Sequence, residues 1–162
     1  MIRSLPPYRI GDHCKELQGY HGAVWRFRNN FDAKIILSFN TGIYCDFYDK
    51  VGNNWISIYG CEIIVRAGYA WNGCSPKKFI LGRWIGTPDT QTNIIASLFH
   101  DALVQFINVP EFTLSKEQVD LIFYHIMEKR GFLLACQYYC AVVRFGKYEK
   151  TDGEYAKEVR PA

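Results

Sequence analysis

The sequence lacks any apolar stretch long enough to cross a bilayer, for which a helix needs about 20 consecutive apolar residues. Its opening residues, MIRSLPPYRIGDHCKELQGYHG, also lack the basic head, apolar run and small-residue cleavage site of a secretory signal. We therefore expect a soluble, cytoplasmic protein that does not associate with membranes.

A dense cluster of charge is also missing. The chain has 19 basic and 16 acidic residues, which give a net charge of +3 and are scattered along its length. Proteins that bind extended nucleic acid usually concentrate Lys and Arg in a patch or stripe. We expect a small-molecule ligand as the partner, with no extended nucleic-acid binding, and the sequence leaves the oligomeric state open.

The cysteines do not form the pattern of a disulfide framework. A chain of 162 residues can build a core without cross-links, so free thiols are expected in a reducing compartment. Cys136 and Cys140 lie one helical turn apart and could supply half a zinc site, but no second pair matches, and we expect both in the core. Only Cys74 could act as a nucleophile paired with a histidine, His100. The six are Cys14, Cys45, Cys61, Cys74, Cys136 and Cys140.

The chain is rich in apolar and aromatic residues. Its composition is 49% hydrophobic and 16% aromatic, which predicts a folded core. The length suits one domain. We assign that domain to residues 1–146 and interpret residues 147–162, KYEKTDGEYAKEVRPA, as a polar, solvated tail.

The first half of the domain predicts β-strands. Short runs rich in β-branched and aromatic residues are separated by turns that contain Asn and Gly. Their spacing predicts an antiparallel meander of about four to six strands. The runs are residues 24–28, 35–39, 43–48, 55–59 and 61–67.

The second half changes to helical periodicity. Helices are expected over residues 90–107, 115–130 and 133–145. The capping box of Ser115 and Gln118 marks the start of the second helix, which ends before Gly131. Strands followed by helices are typical of an α+β domain, with about three helices packed on one face of the sheet.

The first helix contains a polar pair in an apolar run, SLFHDALVQF at residues 97–106. On a wheel of ~100° per residue, His100 and Asp101 fall in one polar arc. From Thr90 to Pro110 there is no Lys, Arg or Glu, the residues that usually cover a solvated helix face. We therefore expect a central helix whose polar arc faces either a pocket or internal hydrogen-bond partners.

Asp120 is the best candidate partner for this pair. It lies at the edge of the apolar face of the second helix, whereas His125 falls on the far, solvated face. We predict His100, Asp101 and Asp120 as catalytic residues, and as the ligands if a divalent metal ion is bound. The alternative is structural: His100 and Asp101 would satisfy local hydrogen bonds, and Asp120 would support the positive end of its own helix.

A glycine-rich loop, AGYAWNGCSPKK at residues 67–78, follows the last predicted strand. Its irregular backbone can present side chains to a ligand, while the plainer interpretation is a connection that needs glycine in order to turn. Its spacing is not that of a phosphate-binding loop. The predicted substrate-binding residues are Tyr69, Trp71, Asn72, Ser75 and Lys77.

These segments together resemble a small domain family of unknown function that is common in phages and prophages. The pattern is a glycine-aromatic loop ending in Ser-x-Pro, a helix with His-Asp-x-Leu and a helix with Asp-x-x-Phe, and it covers roughly residues 60–145. The family often has an aspartate where this chain has Asn72, so no carboxylate is expected from the loop. The resemblance implies a phage-related origin. The matching residues are Gly68, Tyr69, Asn72, Ser75 and Pro76, then His100, Asp101 and Leu103, then Asp120 and Phe123.

Hydrolysis is the reaction class that best suits a neutral imidazole beside two carboxylates, either with a divalent metal ion activating water or with His100 as general base. We expect a nucleotide or another phosphodiester as the substrate, with Lys77, Lys78 and Arg83 offsetting the phosphate charge. In the host cytoplasm, a phage protein with this activity would counter a host nucleotide signal used in defence.

Two other functions remain open. A non-catalytic binder would sequester a small ligand or a host protein through the aromatic residues Tyr69, Trp71, Phe79 and Trp84. A phage structural or assembly component would use the polar residues as internal scaffolding. The His-Asp doublet is also similar to that of the metal phosphohydrolases named for it, but those are all-helical, and only His13 or His21 could supply their upstream histidine.

Overall fold

The computed structural model describes residues 2–5, 13–18, 24–49, 52–74, 78–80, 83–85 and 89–146. Within these residues β-strands come first and α-helices follow, which confirms the predicted α+β class. The strands are β1 (Ile2–Ser4), β2 (His13–Gln18), β3 (Val24–Arg28), β4 (Ala33–Leu37), β5 (Tyr44–Tyr48), β6 (Asn54–Tyr59), β7 (Glu62–Val65), β8 (Ala70–Trp71), β9 (Lys78–Ile80) and β10 (Arg83–Ile85). The helices are α1 (Ile94–Gln105), α2 (Lys116–Lys129) and α3 (Ala135–Phe145).

The larger sheet has five antiparallel strands in the order β1-β4-β7-β6-β5. Strands β5, β6 and β7 form a meander, as the sequence predicts. Strand β4 pairs with β7 rather than with β5, so the chain crosses to the opposite edge before the meander begins. In β4, Ala33, Ile35 and Leu37 are buried and Lys34 is exposed, and this alternation defines the face that carries the core.

A second sheet contains β3, which we had expected in the meander. Its order is β2-β3-β8, and β8, inside the glycine-rich loop, places Trp71 opposite Phe27 of β3. Strands β9 and β10 pair with each other. Apart from β2, the strands that the sequence did not predict have only two or three residues, too few to show a period.

Helix α1 packs between the larger sheet and α2. Nine of its 12 residues are buried, which confirms that it is central and accounts for the absence of Lys, Arg and Glu from its segment. It begins at Ile94, later than predicted, because residues 91–93 form a turn. In that turn the side-chain Oδ1 of Asn93 accepts a hydrogen bond of 2.7 Å from the backbone N–H of Thr90.

Helix α2 begins and ends as its sequence signals predict. Both hydrogen bonds of the capping box between Ser115 and Gln118 are present. At the other end Gly131 has φ +72°, and its N–H donates to the carbonyl of Glu128, as in a glycine-terminated helix. Lys129 Nζ donates to the carbonyl oxygens of Ile2 and Arg3, each at 2.7 Å, so the end of α2 holds strand β1.

Helix α3 packs against α2 but buries only Ala135 and Tyr138. Cys136 and Cys140 are exposed, so the prediction that they lie in the core is wrong. The five cysteines whose side chains the structure describes, which exclude Cys14, are free thiols, as expected.

The longest helix described, α2, has 14 residues, and no helix in the described ranges is long and apolar enough to span a bilayer. The predicted polar tail, residues 147–162, lies outside the described residues.

The connection between β5 and β6 is organised by Asp49, which is 5% exposed. Its Oδ1 accepts a hydrogen bond of 2.9 Å from the backbone N–H of Asn53. Its Oδ2 accepts two bonds of 2.8 Å, from Asn53 Nδ2 and Trp55 Nε1. These donors compensate the burial of a carboxylate, which would otherwise be strongly unfavourable.

We expect Asp49→Ala to lower the free energy of unfolding by about 2–4 kcal/mol, because it removes hydrogen bonds to a charged group and leaves the buried Trp55 indole N–H unsatisfied. Urea unfolding followed by tryptophan fluorescence measures this loss. Glu62→Ala is the matched control, since Glu62 pairs at the surface with Lys34 at 3.2 Å and should cost less than about 1 kcal/mol. Equal losses of unfolding free energy in the two variants would contradict the stabilising role assigned to the buried Asp49 carboxylate.

Candidate functional site

The predicted catalytic residues His100 and Asp120 meet where α1 packs against α2. His100 Nε2 lies 3.0 Å from Asp120 Oδ1. The capping box at Ser115 fixes where α2 begins and therefore which way Asp120 points. The structure thus joins two polar residues that are 20 positions apart in the sequence.

The carboxylate of Asp120 is almost completely buried, with 1% of the side chain exposed. Its Oδ2 accepts a hydrogen bond of 2.7 Å from Lys116 Nζ, one helical turn earlier. Lys116 Nζ also lies 3.4 Å from the carbonyl oxygen of Val142 on α3. Burial of a carboxylate costs several kcal/mol unless it is paired and hydrogen-bonded, so Lys116 is part of this site.

Sequence reasoning missed Lys116, although a signal for it was present. A lysine four residues before an aspartate on a helix places the two side chains on one face.

Asp101 lies on the solvent side of His100. Its side chain is 32% exposed, compared with 14% for His100, and its Oδ1 is 3.9 Å from His100 Nδ1. This is an ion-pair distance, longer than a direct hydrogen bond. The imidazole therefore has a buried carboxylate at one ring nitrogen and a partly exposed carboxylate near the other.

The environment of His100 favours its charged form. Burial opposes the imidazolium, but the negative charges of Asp101 and Asp120 and the hydrogen bond with Asp120 outweigh burial and raise the pKa of His100 above its ordinary value. The ring also packs on Phe123, with 4.8 Å between the ring centroids. These contacts hold the imidazole in one orientation.

Two predicted substrate-binding residues, Tyr69 and Trp71, are fully buried in the core. Trp71 Nε1 donates a 3.0 Å hydrogen bond to Ser97 Oγ of α1, which in turn donates to the carbonyl of Ile94 at 2.8 Å. Burial and the nearby Asp101 carboxylate raise the pKa of Tyr69 well above its ordinary value, so its phenol stays neutral. In this structure both rings contact the protein interior.

The glycine-rich loop is attached to the segment before α1 by Asp89, which the sequence did not single out as a site residue. Asp89 Oδ1 accepts a 2.8 Å hydrogen bond from the backbone N–H of Cys74. Gly73 has φ +82°, and a Cβ there would lie 2.7 Å from Asp89 Oδ1 and from the Phe27 ring. Only glycine fits this approach.

The rest of the predicted binding loop is described in part. Asn72 is exposed, whereas Cys74, the candidate nucleophile, is 1% exposed and belongs to the core. Several residues with predicted roles, or their side chains, lie outside the described part of the chain: Ser75 and Lys77, the side chains of Lys78, Phe79, Arg83 and Trp84, and those of His13 and His21.

Both oxygens of Asp120, one of the three predicted metal ligands, contact other side chains. Oδ1 lies 3.0 Å from His100 Nε2, and Oδ2 accepts from Lys116 Nζ. Among the described residues no group of three or more His, Cys, Asp or Glu side chains is placed to hold a metal ion. His125 pairs with Glu128 at 3.0 Å, outside this cluster, as the sequence predicted.

We expect His100 to stabilise the fold more at low pH than at high pH. Its pKa in the folded protein is raised above the unfolded value of about 6.5. Its contribution to the free energy of unfolding is therefore fully present below that value and is lost as the pH rises through the folded-state pKa.

Calorimetric Tm values of wild type and His100→Gln test this expectation. The difference in Tm should be larger at about pH 5.5 than at about pH 9, with His125→Gln as the matched control for loss of a histidine. A difference that grows with pH would contradict the raised pKa.

Comparisons with protein-family models, with curated proteins and with solved structures found no match. The resemblance to a phage domain family stays a prediction.

Proposed function

We propose that this chain is a small hydrolase in which His100 is the general base and Asp120 is its positioning residue. The observation that supports this function is the 3.0 Å contact between His100 Nε2 and a carboxylate that is almost completely buried. A buried carboxylate on one imidazole nitrogen fixes the orientation and tautomer of the ring, which is how general-base histidines are positioned in hydrolases.

The tautomer follows from this contact. When His100 is neutral and Nε2–H donates to Asp120, the lone pair is on Nδ1, on the side of the partly exposed Asp101. In the proposed reaction Nδ1 takes a proton from water while the water oxygen bonds to the electrophilic atom. The bond to the leaving group breaks, and the leaving oxygen receives that proton from the imidazolium. Lys116 Nζ donates to the other oxygen of Asp120 and so keeps the carboxylate in place throughout.

A nucleotide or another phosphodiester is the substrate class that we propose to test first. The support for this class comes from the sequence, through Lys77, Lys78 and Arg83. An anionic substrate would meet the negative charge of Asp101, so these basic residues or a divalent cation would have to offset it. In a metal-dependent form, His100 and Asp101 would hold the ion, which would supply Lewis acidity, and Asp120 would orient His100 from outside the ligand set.

The rival functions predict different arrangements. A binder that stacks a ligand needs exposed rings, but Tyr69 and Trp71, two of the aromatic residues on which that idea rests, are fully buried. A structural component needs the polar residues only for stability, and the engagement of both Asp120 oxygens is compatible with that role. A role against a host nucleotide signal is part of our proposal and rests on the phage resemblance alone.

We expect His100→Gln to lower the turnover of bis(p-nitrophenyl) phosphate by about 100- to 10,000-fold, the usual contribution of a general base. Turnover by wild type should rise with pH through the raised pKa of His100, because only the neutral imidazole accepts a proton. In Asp120→Asn the inflection should move to lower pH, since the Asp120 carboxylate raises that pKa. His125→Gln should keep wild-type turnover.

The assay separates the functions when it is run in chelator and again with added Mg²⁺, Mn²⁺ or Zn²⁺. Turnover only with an added ion would assign the metal-dependent form. Nucleotide binding without turnover under every condition would overturn the hydrolase in favour of the binder. If His100→Gln and Asp120→Asn both lose the circular dichroism and cooperative melting of wild type, and wild type shows no turnover, the residues are scaffolding.

A further inference from the structure

The exposed face of α3 combines two thiols with apolar side chains. Cys136 and Cys140 are both exposed, although cysteine is among the most buried residue types. Val143 on this helix is 49% exposed, and Leu133, two residues before the helix begins, is 95% exposed. None of these side chains belongs to the candidate hydrolytic site.

The two thiols are spaced to share one metal ion. Residues four apart on a helix have Cβ atoms about 5–6 Å apart on one face. Two sulfurs bound to a tetrahedral zinc ion at about 2.3 Å lie roughly 3.8 Å apart, which rotation about χ1 can provide. Within the described residues of one chain, no group of three or more His, Cys, Asp or Glu side chains is placed to hold an ion, so no third donor of that part joins these two thiols. Structural zinc takes four ligands.

A two-fold axis suits the spacing within α3. Cys136, Cys140 and Val143 are separated by four and three residues, the spacing of an apolar coiled-coil seam. In an antiparallel pair of α3 helices related by a two-fold axis at the level of residue 138, Cys136 lies opposite the partner's Cys140. A second copy therefore both completes the ligand set and covers the exposed Val143.

Charge supports the same arrangement. Four thiolates around a divalent ion carry a net charge of about −2. Arg144 follows Cys140 by four residues and so lies on the same side of α3, where its positive charge would offset part of the negative charge of a bound cluster. Two copies supply two Arg144 side chains, which neutralise the cluster.

We propose that Cys136 and Cys140 of two copies of this chain together bind one thiophilic divalent metal ion, of which Zn²⁺ is the example to test. The ion links the α3 helices of the two copies and leaves the His100 site of each copy separate. Each thiol loses its proton to solvent when the metal–sulfur bond forms.

Titration of the reduced full chain with Zn²⁺ alone, followed by light scattering, tests the proposal. We expect one ion for every two chains and a rise in mass from 18.8 kDa to twice that value. Co²⁺ in place of Zn²⁺ should give the intense visible and near-ultraviolet absorption of a tetrathiolate site. One ion per chain without a change in mass, or a cobalt spectrum without sulfur-to-metal absorption, would overturn the shared site.

Serine variants assign the ligands. Cys136→Ser and Cys140→Ser should each weaken zinc binding by more than about 100-fold and should abolish the metal-dependent dimer. Even the loss of a group that only hydrogen-bonds a metal ligand lowers metal affinity by about 10- to 100-fold. Cys61→Ser, which changes a half-buried thiol in the turn between β6 and β7, is the matched control and should bind zinc as wild type does. An equal loss in all three variants, or no loss in the first two, would disprove the proposal. If a variant fails to fold, the cobalt spectrum of wild type still shows whether thiolates bind the ion.

Discussion

The compensation of one buried charge, the carboxylate of Asp120, determines how the helices must pack. An uncompensated carboxylate at that depth would be far too costly, so α1 must bring His100 to one oxygen and α2 must bring Lys116 to the other. The second contact of Lys116, with the Val142 carbonyl, extends the same constraint to α3. One side chain therefore makes the positions of three helices depend on each other.

The parts of the fold that could be predicted are those encoded by local patterns. The absence of solvating charge around His100 predicted that α1 is central, and Ser115 with Gln118 predicted where α2 begins. The pairing of β4 with β7 could not be predicted, because strand partners distant in sequence leave no local period. The exposed side of α3 was also misjudged, because its apolar residues occur on more than one face and periodicity alone does not decide which face is buried.

At the candidate site the sequence predicted which residues belong together better than it predicted their surroundings. His100 and Asp120 could be linked because His100 lies in the polar arc of a helix without solvating charge and Asp120 lies at the edge of an apolar helix face. Tyr69 and Trp71 could not be placed, because an aromatic ring beside a glycine-rich loop suits a core as well as a pocket. Their burial depends on tertiary contacts such as the hydrogen bond from Trp71 to Ser97, which no local spacing reveals.

The contact of Lys129 with the carbonyls of Ile2 and Arg3 has a consequence for the order of folding. The residues that it joins are up to 127 positions apart, and closing so long a loop is slow and entropically costly. Strand β1 can therefore dock fully only after α2 has formed. Because β1 leaves the ribosome before α2 does, its contacts with Lys129 form only after the later helix has been synthesised.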